Sequence, residues 1–551
     1  MSRKIILFFI YVLLLNAHSF TDEWKNILHL NLKNFGDENF YFYLSYPNVT
    51  AENELREDLK QIKKLNKNFI CNFPYRYKFL SKYYKLPKFD LKHCKQLQNF
   101  LDSFKDEYKL GIVFSSEYSS SPQSSFGHTM LIFINRKSFL NSDVIHFAAK
   151  TKKEGFFKYS YDGLVGNFDA FYIREKLFKK VYLYNVLQQR TMFVYYLDFS
   201  EKDINNLLLH IYELQKFKAK YYFINYNCAS AVLDLLRIED KNIPQLKSLI
   251  LPIDSVKLSK KHIIKIKKLI PLNKQIILLV NKMSPMERKI FKQKIMGKYK
   301  GDLETLPNIV KYTLNKYYEY SFRRYHFVFG DYDEVKNLHY KELKIDTNKI
   351  INPLKKVQPM ELKFFASKQY LEFNIRPFNI DKFDYQNNLT DEKTYKIFNV
   401  SVIYGDKNLY LNKLDFFETE SLSKIYYPYI VPKSWKVYMG LNRNNQYKSL
   451  LLNYELGIGQ SYQMSILLNY FFSLGFNLDK YNDVYLKPEI NLIYYYKNFK
   501  YYFNTYKKIG DNYYKILFGC TYKYNNYDAL MLQYQKDKFN NRIKVGFYLS
   551  F

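Results

Sequence analysis

After its N-terminal segment the chain has no run of about eighteen apolar residues, which excludes a later single-helix membrane span. Cysteine is scarce, with only Cys71, Cys94, Cys228 and Cys520. None stands directly after the N-terminal apolar run, which argues against a lipoprotein anchor. Acidic residues are also short: 52 Asp and Glu face 85 Lys and Arg, leaving a net charge of +33. A basic surface suits anionic lipid headgroups or lipopolysaccharide. Because the lysines are spread over the whole chain, a codon bias towards Lys, Asn, Ile and Tyr explains the charge as well.

What is present first is an export signal. Arg3 and Lys4 precede the apolar stretch Ile5–Leu15, and Ala17-His18-Ser19 offers small residues at a cleavage site, so 1–19 reads as a signal peptide. Export makes nucleic acid a poor partner and makes disulfides available. Cys71 and Cys94 lie close in one small region and are expected to pair, a loop worth ~3 kcal/mol in the chain-entropy model. Other pairings of the four cysteines stay open on sequence grounds.

Five segments are expected, with an α+β fold class for the chain. After the signal peptide, 20–105 reads as a helical region, from the spacing of Leu55, Leu59, Ile62 and Leu65. Residues 106–245 mix strands (His128–Asn135, Asp143–Ala149, Val181–Phe199) with helices (Glu201–Lys216 and one opening at Cys228). Residues 246–360 are Lys-rich and read as a helical connector, with a capping box at Ser284-Pro285-Met286-Glu287. From 361 to 551 the period becomes two. Leu452, Tyr454, Leu456 and Ile458 alternate with Asn453, Glu455, Gly457 and Gly459, and the last strand alternates through Phe551. Strands of about ten residues, apolar on one face and polar on the other, are the pattern of an antiparallel outer-membrane β-barrel. About twelve strands are expected. A soluble antiparallel sheet is the competing reading. On the barrel reading Cys520 faces lipid and does no chemistry.

The residues that carry chemistry are Cys228 and His128. Asn227 is a good N-cap, so Cys228 stands at a helix N-terminus, where the dipole and free N–H groups favour a thiolate. Cys228 can equally be a small buried apolar residue, as most free cysteines are. His128 opens a strand after a Ser-rich loop whose Ser124, Ser125 and Gly127 are expected, with Asn227, to line the site, unless Gly127 simply allows a tight turn there. The expected unit is a Cys228 thiolate beside a His128 imidazolium. His146, expected on an adjacent strand, is the candidate to orient it, unless it simply packs there. This chemistry calls for neither metal nor cofactor.

The order His-then-Cys suggests a circularly permuted papain-like fold. Four segments, SSPQSSFGHTMLIF (120–133), GLVGNFDAFY (163–172), QQRTMFVYYLDFS (188–200) and YYFINYNCASAVLDLL (221–236), resemble the Lnb-type periplasmic domain. CNFPYRY (71–77) resembles the helical region that precedes this domain, and a C-terminal barrel resembles the proteobacterial-type architecture of the family. The family includes lipoprotein N-acyltransferases, and its fold is similar to lecithin:retinol acyltransferase and NlpC-type peptidases. The resemblance implies an outer-membrane-anchored periplasmic thiol acyltransferase or hydrolase, with membrane lipid as a partner and a lipid or lipoprotein as substrate. A cell-wall peptidase of NlpC type and a non-enzymatic pore with a gating domain are the other readings.

Overall fold

The structure is a computed structural model. It describes residues 20–30, 41–117, 126–151, 156–244, 250–325, 338–356, 360–386, 388, 390–405, 407–443, 450–478, 484–510, 513–525 and 527–550. The signal-peptide reading therefore lies outside the described residues, as does Phe551. The chain divides into two compact units, Met1–Leu269 and Ile270–Phe551.

The first unit opens with helices α1 (20–27), α2 (Ala51–Lys63), α3 (Lys67–Asn72), α4 (Pro74–Leu80) and α5 (Lys95–Asp102). Thr50 caps α2 by accepting the Asn53 N–H, and Pro74 starts α4 where no N–H is needed. Cys71 and Cys94 are bonded, and Cys228 and Cys520 are free thiols. The helices pack around a buried charge. Arg76 Nη1 donates to Glu54 (2.8 Å) and Asp58 (3.4 Å), and Nη2 donates to the Phe42 carbonyl (2.8 Å). The Arg76 and Tyr75 N–H groups donate to Glu213 of the following domain at 2.9 and 2.7 Å. Removing one partner of a buried pair strands the other, so Arg76→Ala is expected to destabilise this unit by ~3–5 kcal/mol. Trp24 emission during urea unfolding, in a Trp435→Phe background, reads that loss. An unchanged midpoint would show that the cluster contributes nothing.

The sheet of this unit has seven strands: β1 (Glu107–Ser115), β2 (His128–Asn135), β3 (Asp143–Ala149), β4 (Phe168–Lys176), β5 (Met192–Leu197), β6 (Ala219–Tyr221) and β7 (Ile263–Leu269). Their order is β6-β4-β3-β2-β1-β5-β7, with every neighbour antiparallel. Both faces of the central strands are covered, so β2 is buried along almost its whole length. One face packs Met130, Ile132, Ile134 and Val144 with Leu177 and Tyr184. On the other, Phe133 meets Phe104, and Phe147 meets Tyr221 and Tyr226. Helices α6 (Phe156–Val165), α7 (Leu177–Lys180), α8 (Glu201–Glu213), α9 (Cys228–Arg237) and α10 (Asp254–Leu258) complete the unit.

Two expectations are corrected here. Val181–Phe199 is not strand throughout: Val181–Leu187 continues α7 as a wide helical turn, and strand begins only at Met192. All of its residues but Asn185 are apolar or aromatic, as in a buried strand, yet only Tyr184 is buried, Val181 packs partly beside it, and Tyr182, Leu183 and Leu187 stay exposed. The stretch 246–360 is not a wholly helical connector either. Ile263–Leu269 pairs with β5 as an edge strand, its lysines keeping that edge soluble.

In the second unit α11 (Leu272–Lys282), α12 (Pro285–Ile295) and α13 (Asn308–Tyr325) share a core with Tyr429 and Ile430, which lie in a turn of the barrel. Ser284 and Glu287 form the expected capping box. The barrel strands are β8 (Glu361–Ala366), β9 (Leu371–Arg376), β10 (Phe378–Ile380), β11 (Asp391–Gly405), β12 (Asn408–Ile425), β13 (Ser434–Arg443), β14 (Leu450–Gln463), β15 (Leu467–Leu478), β16 (Val484–Tyr496), β17 (Phe499–Lys508), β18 (Tyr513–Lys523), β19 (Asp528–Asp537) and β20 (Asn541–Ser550). β9 and β10 are one strand broken at Pro377, and both pair with β11. β20 pairs with β8 and β8 with β9, so twelve strands close into an antiparallel barrel. Outward residues such as Ile458, Phe472, Leu486, Phe518 and Val545 are exposed, whereas Glu455, Asn469, Lys487 and Asn491 turn inside. Cys520 stands beside Phe518 and Leu532 on the outer surface, as expected.

Beyond β10 the chain turns into the lumen. Lys382 donates to Glu420 (2.9 Å) and Glu489 (2.8 Å), Asp384 pairs with Lys363, and the Phe383 ring lies 4.8 Å from that of Tyr502. These are buried charges that find partners only because opposite walls of the barrel supply them.

Candidate active site

α9 starts where it does because of Asn227. Its Oδ1 accepts the Ala229 N–H at 2.9 Å, and its Nδ2 donates to the carbonyls of Phe223 (3.1 Å) and Ile250 (2.8 Å). Asn227 is 3% exposed. It thus anchors the helix end from within the core, and so fixes the place of Cys228.

The surroundings of the Cys228 sulfur follow from a gap in the sheet. β2 and β3 pair only over Leu131–Phe133. Towards His128 the two strands part, and the Thr129 N–H has no β3 partner there. It donates to the Cys228 sulfur instead, as do the Tyr221 hydroxyl and the N–H groups of Ala229 and Cys228 itself. Cys228 is 2% exposed. Burial outweighs the donors and pushes the thiol up to about 11.

His128 is one residue before Thr129 and on the other face of the strand, with Met130 and Ile132. Gly127 makes this entry possible: its φ is +99°, and a Cβ there would stand 2.7 Å from the Ser115 carbonyl oxygen. The tight-turn role of Gly127 is therefore visible. Ser124 and Ser125 lie outside the described residues. The His128 ring is 5.9 Å from that of Tyr184 and 6.1 Å from that of His146, between centroids. Its Nε2 has no hydrogen-bond partner among the described residues. Burial holds the imidazole well below its usual range, and His146, Arg190 and Lys180 act in the same direction.

His146 stands edge-on to His128 but gives its Nε2 to Glu175 Oε2 at 2.9 Å. Lys180 pairs with the same carboxylate. Burial, then Lys180, bring His146 down to about 4 against the pull of Glu175. Beneath them Arg190, 2% exposed, donates to the carbonyls of Ser115 (3.0 Å) and Ser116 (2.5 Å), with its guanidinium 4.7 Å from the Tyr184 ring centre. Tyr184 also lies within electrostatic reach of Cys228.

Burial works against the expected thiolate–imidazolium pair: desolvation raises the Cys228 thiol and lowers the His128 imidazole, which favours the neutral form of each. Glu175, Lys180, Tyr184, Arg190 and Tyr221 escaped the sequence reading. Arg190 lies within a segment that resembles the family, but nothing local marks Glu175, which meets His146 only through the pairing of β3 with β4.

A mixed helix-and-sheet unit with a buried Cys near a strand His, followed by a closed barrel with an apolar outer face, defines an outer-membrane barrel protein with an attached α+β domain. Residues 97–262 match the Lnb N-terminal periplasmic domain, and 361–550 match a domain of unknown function, DUF7840. Residues 97–262 thus carry a domain of the Lnb N-terminal periplasmic type, and the closed barrel, apolar outside and polar inside, is of the kind that sits in an outer membrane. No helix among the described residues is long and apolar enough to cross a membrane. Among solved structures, the KdgM porin is 11% identical over 35% of this chain and 98% of that one, with a TM-score of 0.24. The NanC porin gives 8%, 35%, 98% and 0.24, and OmpT of Vibrio cholerae 8%, 35%, 97% and 0.18. Superpositions this poor carry no argument. No curated protein matches the chain.

Proposed function

We propose that the periplasmic domain is a thiol acyltransferase or hydrolase that acts on lipid esters or lipoproteins through a Cys228 thioester. The observation that supports it is the parting of β2 from β3, where the Cys228 sulfur is hydrogen-bonded by the residue next to His128, whose Nε2 has no partner among the described residues. As the sulfur attacks the ester carbonyl, His128 takes the thiol proton. The C–O bond then breaks, the leaving alcohol receives that proton, and a thioester remains on Cys228. The N–H groups at the start of α9 are suited to hold the oxyanion. Water or an acceptor amine attacks the thioester next, giving its proton to His128 and restoring the thiol. Glu175 holds His146 beside the base without touching the substrate.

Full-length protein in detergent, incubated with a phospholipid of defined acyl chains and quenched in acid, should carry one acyl mass on the Cys228 peptide, released by neutral hydroxylamine. Absence of both the adduct and lysophospholipid would overturn the assignment to lipid esters. A cell-wall peptidase would use the same atoms on an amide and release peptide instead. The pore alternative keeps the barrel, but conduction requires 381–386 to leave the lumen.

A further inference from the structure

The barrel holds a feature that the thiol chemistry does not use. Its lumen contains a cavity of about 940 Å³, the size of a pocket for a small solute. The lining comes from the end of the barrel opposite to Glu361 and Ser550: Tyr370, Tyr410, Arg443, Lys508 and Lys538 lie around its mouth. The inward-turned segment crosses its floor, where Lys382 bridges Glu420 and Glu489. Eleven Lys and Arg side chains line it against five Asp and Glu. Carboxylates just below answer Lys382, Lys396 and Lys413 through Glu420, Asp381 and Asp415, yet cations still exceed acids. The surplus is at the open side. Lys538 is exposed and forms no ion pair among the described residues, and Lys515 donates no hydrogen bond there. The charged neighbours of Lys515 are Lys544 and Lys413, with Glu372 and Asp537 opposing them.

We propose that the lumen is a blind, basic cup that binds a small polyanion carrying two or more carboxylate or phosphate groups, entering from the side away from the periplasm. The ionic floor fixes the depth of the cup. Low-dielectric walls strengthen the field of the surplus lysines on an entering anion. Tyr and Phe rings at the mouth give the carbon skeleton of such a solute an apolar surface to lie on. The inference is independent of the thiol reaction.

Titration calorimetry on full-length protein in detergent tests it, with citrate as the carboxylate probe, inorganic pyrophosphate as the phosphate probe and sucrose as a neutral control. At least one anion should bind, more weakly as salt rises, while sucrose should not. Lys538→Gln, at an exposed position that leaves folding alone, should weaken binding several-fold, and Lys515→Gln with Lys538→Gln roughly tenfold or more. If the double variant fails to assemble, as read by heat-modifiable gel mobility, Lys538→Gln alone decides. No binding of either anion at low salt, or affinity unchanged in the variants, overturns the cup. Citrate alone or pyrophosphate alone assigns the carboxylate or the phosphate class.

Discussion

Replacing Cys228 by Ala is expected to lower acyl transfer or hydrolysis by roughly 10⁴-fold or more, His128→Ala by a similar factor, and the double variant by little beyond either. The non-additivity is the informative part. A base with no thiol to deprotonate is idle, and a thiol held near 11 by burial cannot ionise alone at neutral pH. The pH profile carries the same logic. Neutral His128 is the working form, and its pKa is held well below 6.5. Activity should therefore persist as pH falls through 6.5 and be lost only on a limb further to the acid side. Initial rates from pH 4 to 8 with the lipid substrate check both statements. Independent, multiplicative losses in the two single variants would sink the dyad, and so would wild-type activity in Cys228→Ala.

Deleting residues 541–551 is expected to abolish barrel assembly outright. β20 is hydrogen-bonded to β19 on one side and to β8 on the other. Its removal opens the cylinder and leaves two unpaired edges inside a hydrocarbon layer, where no water can satisfy their N–H and C=O groups. It also removes Lys544, the partner of Glu372 at 2.8 Å, and so strands a buried carboxylate. Heat-modifiable mobility and membrane fractionation report the outcome. A truncated chain that accumulates folded and soluble in the periplasm would show that the sheet does not need lipid.

The legible parts of the molecule are those set by neighbours in sequence. The ten-residue alternation from Leu450 onward could only bury one face, and the structure gives it a polar lumen. Asn227 before Cys228 announced the start of α9. Long-range pairing was out of reach. Glu175 meets His146 because β4 runs beside β3, and nothing within FDAFYIREK says so. DKFDYQ (381–386) looks like a solvated loop, and its charges become interior only because Lys363, Glu420 and Glu489 stand on surrounding strands. Val181–Leu187 misled for a local reason, since its run of apolar and aromatic residues reads as a buried strand but forms a helical turn that buries one tyrosine.

Cys71 and Cys94 are joined while Cys228 remains a thiol, although one compartment holds all three. Oxidation and disulfide exchange proceed through the thiolate. Burial raises the Cys228 thiol, so little of it is thiolate at neutral pH. Its protonation, together with its burial, thus spares Cys228 from the oxidant that staples the N-terminal helices. The nucleophile is shielded from redox chemistry by the same desolvation that makes it depend on His128 for every turnover.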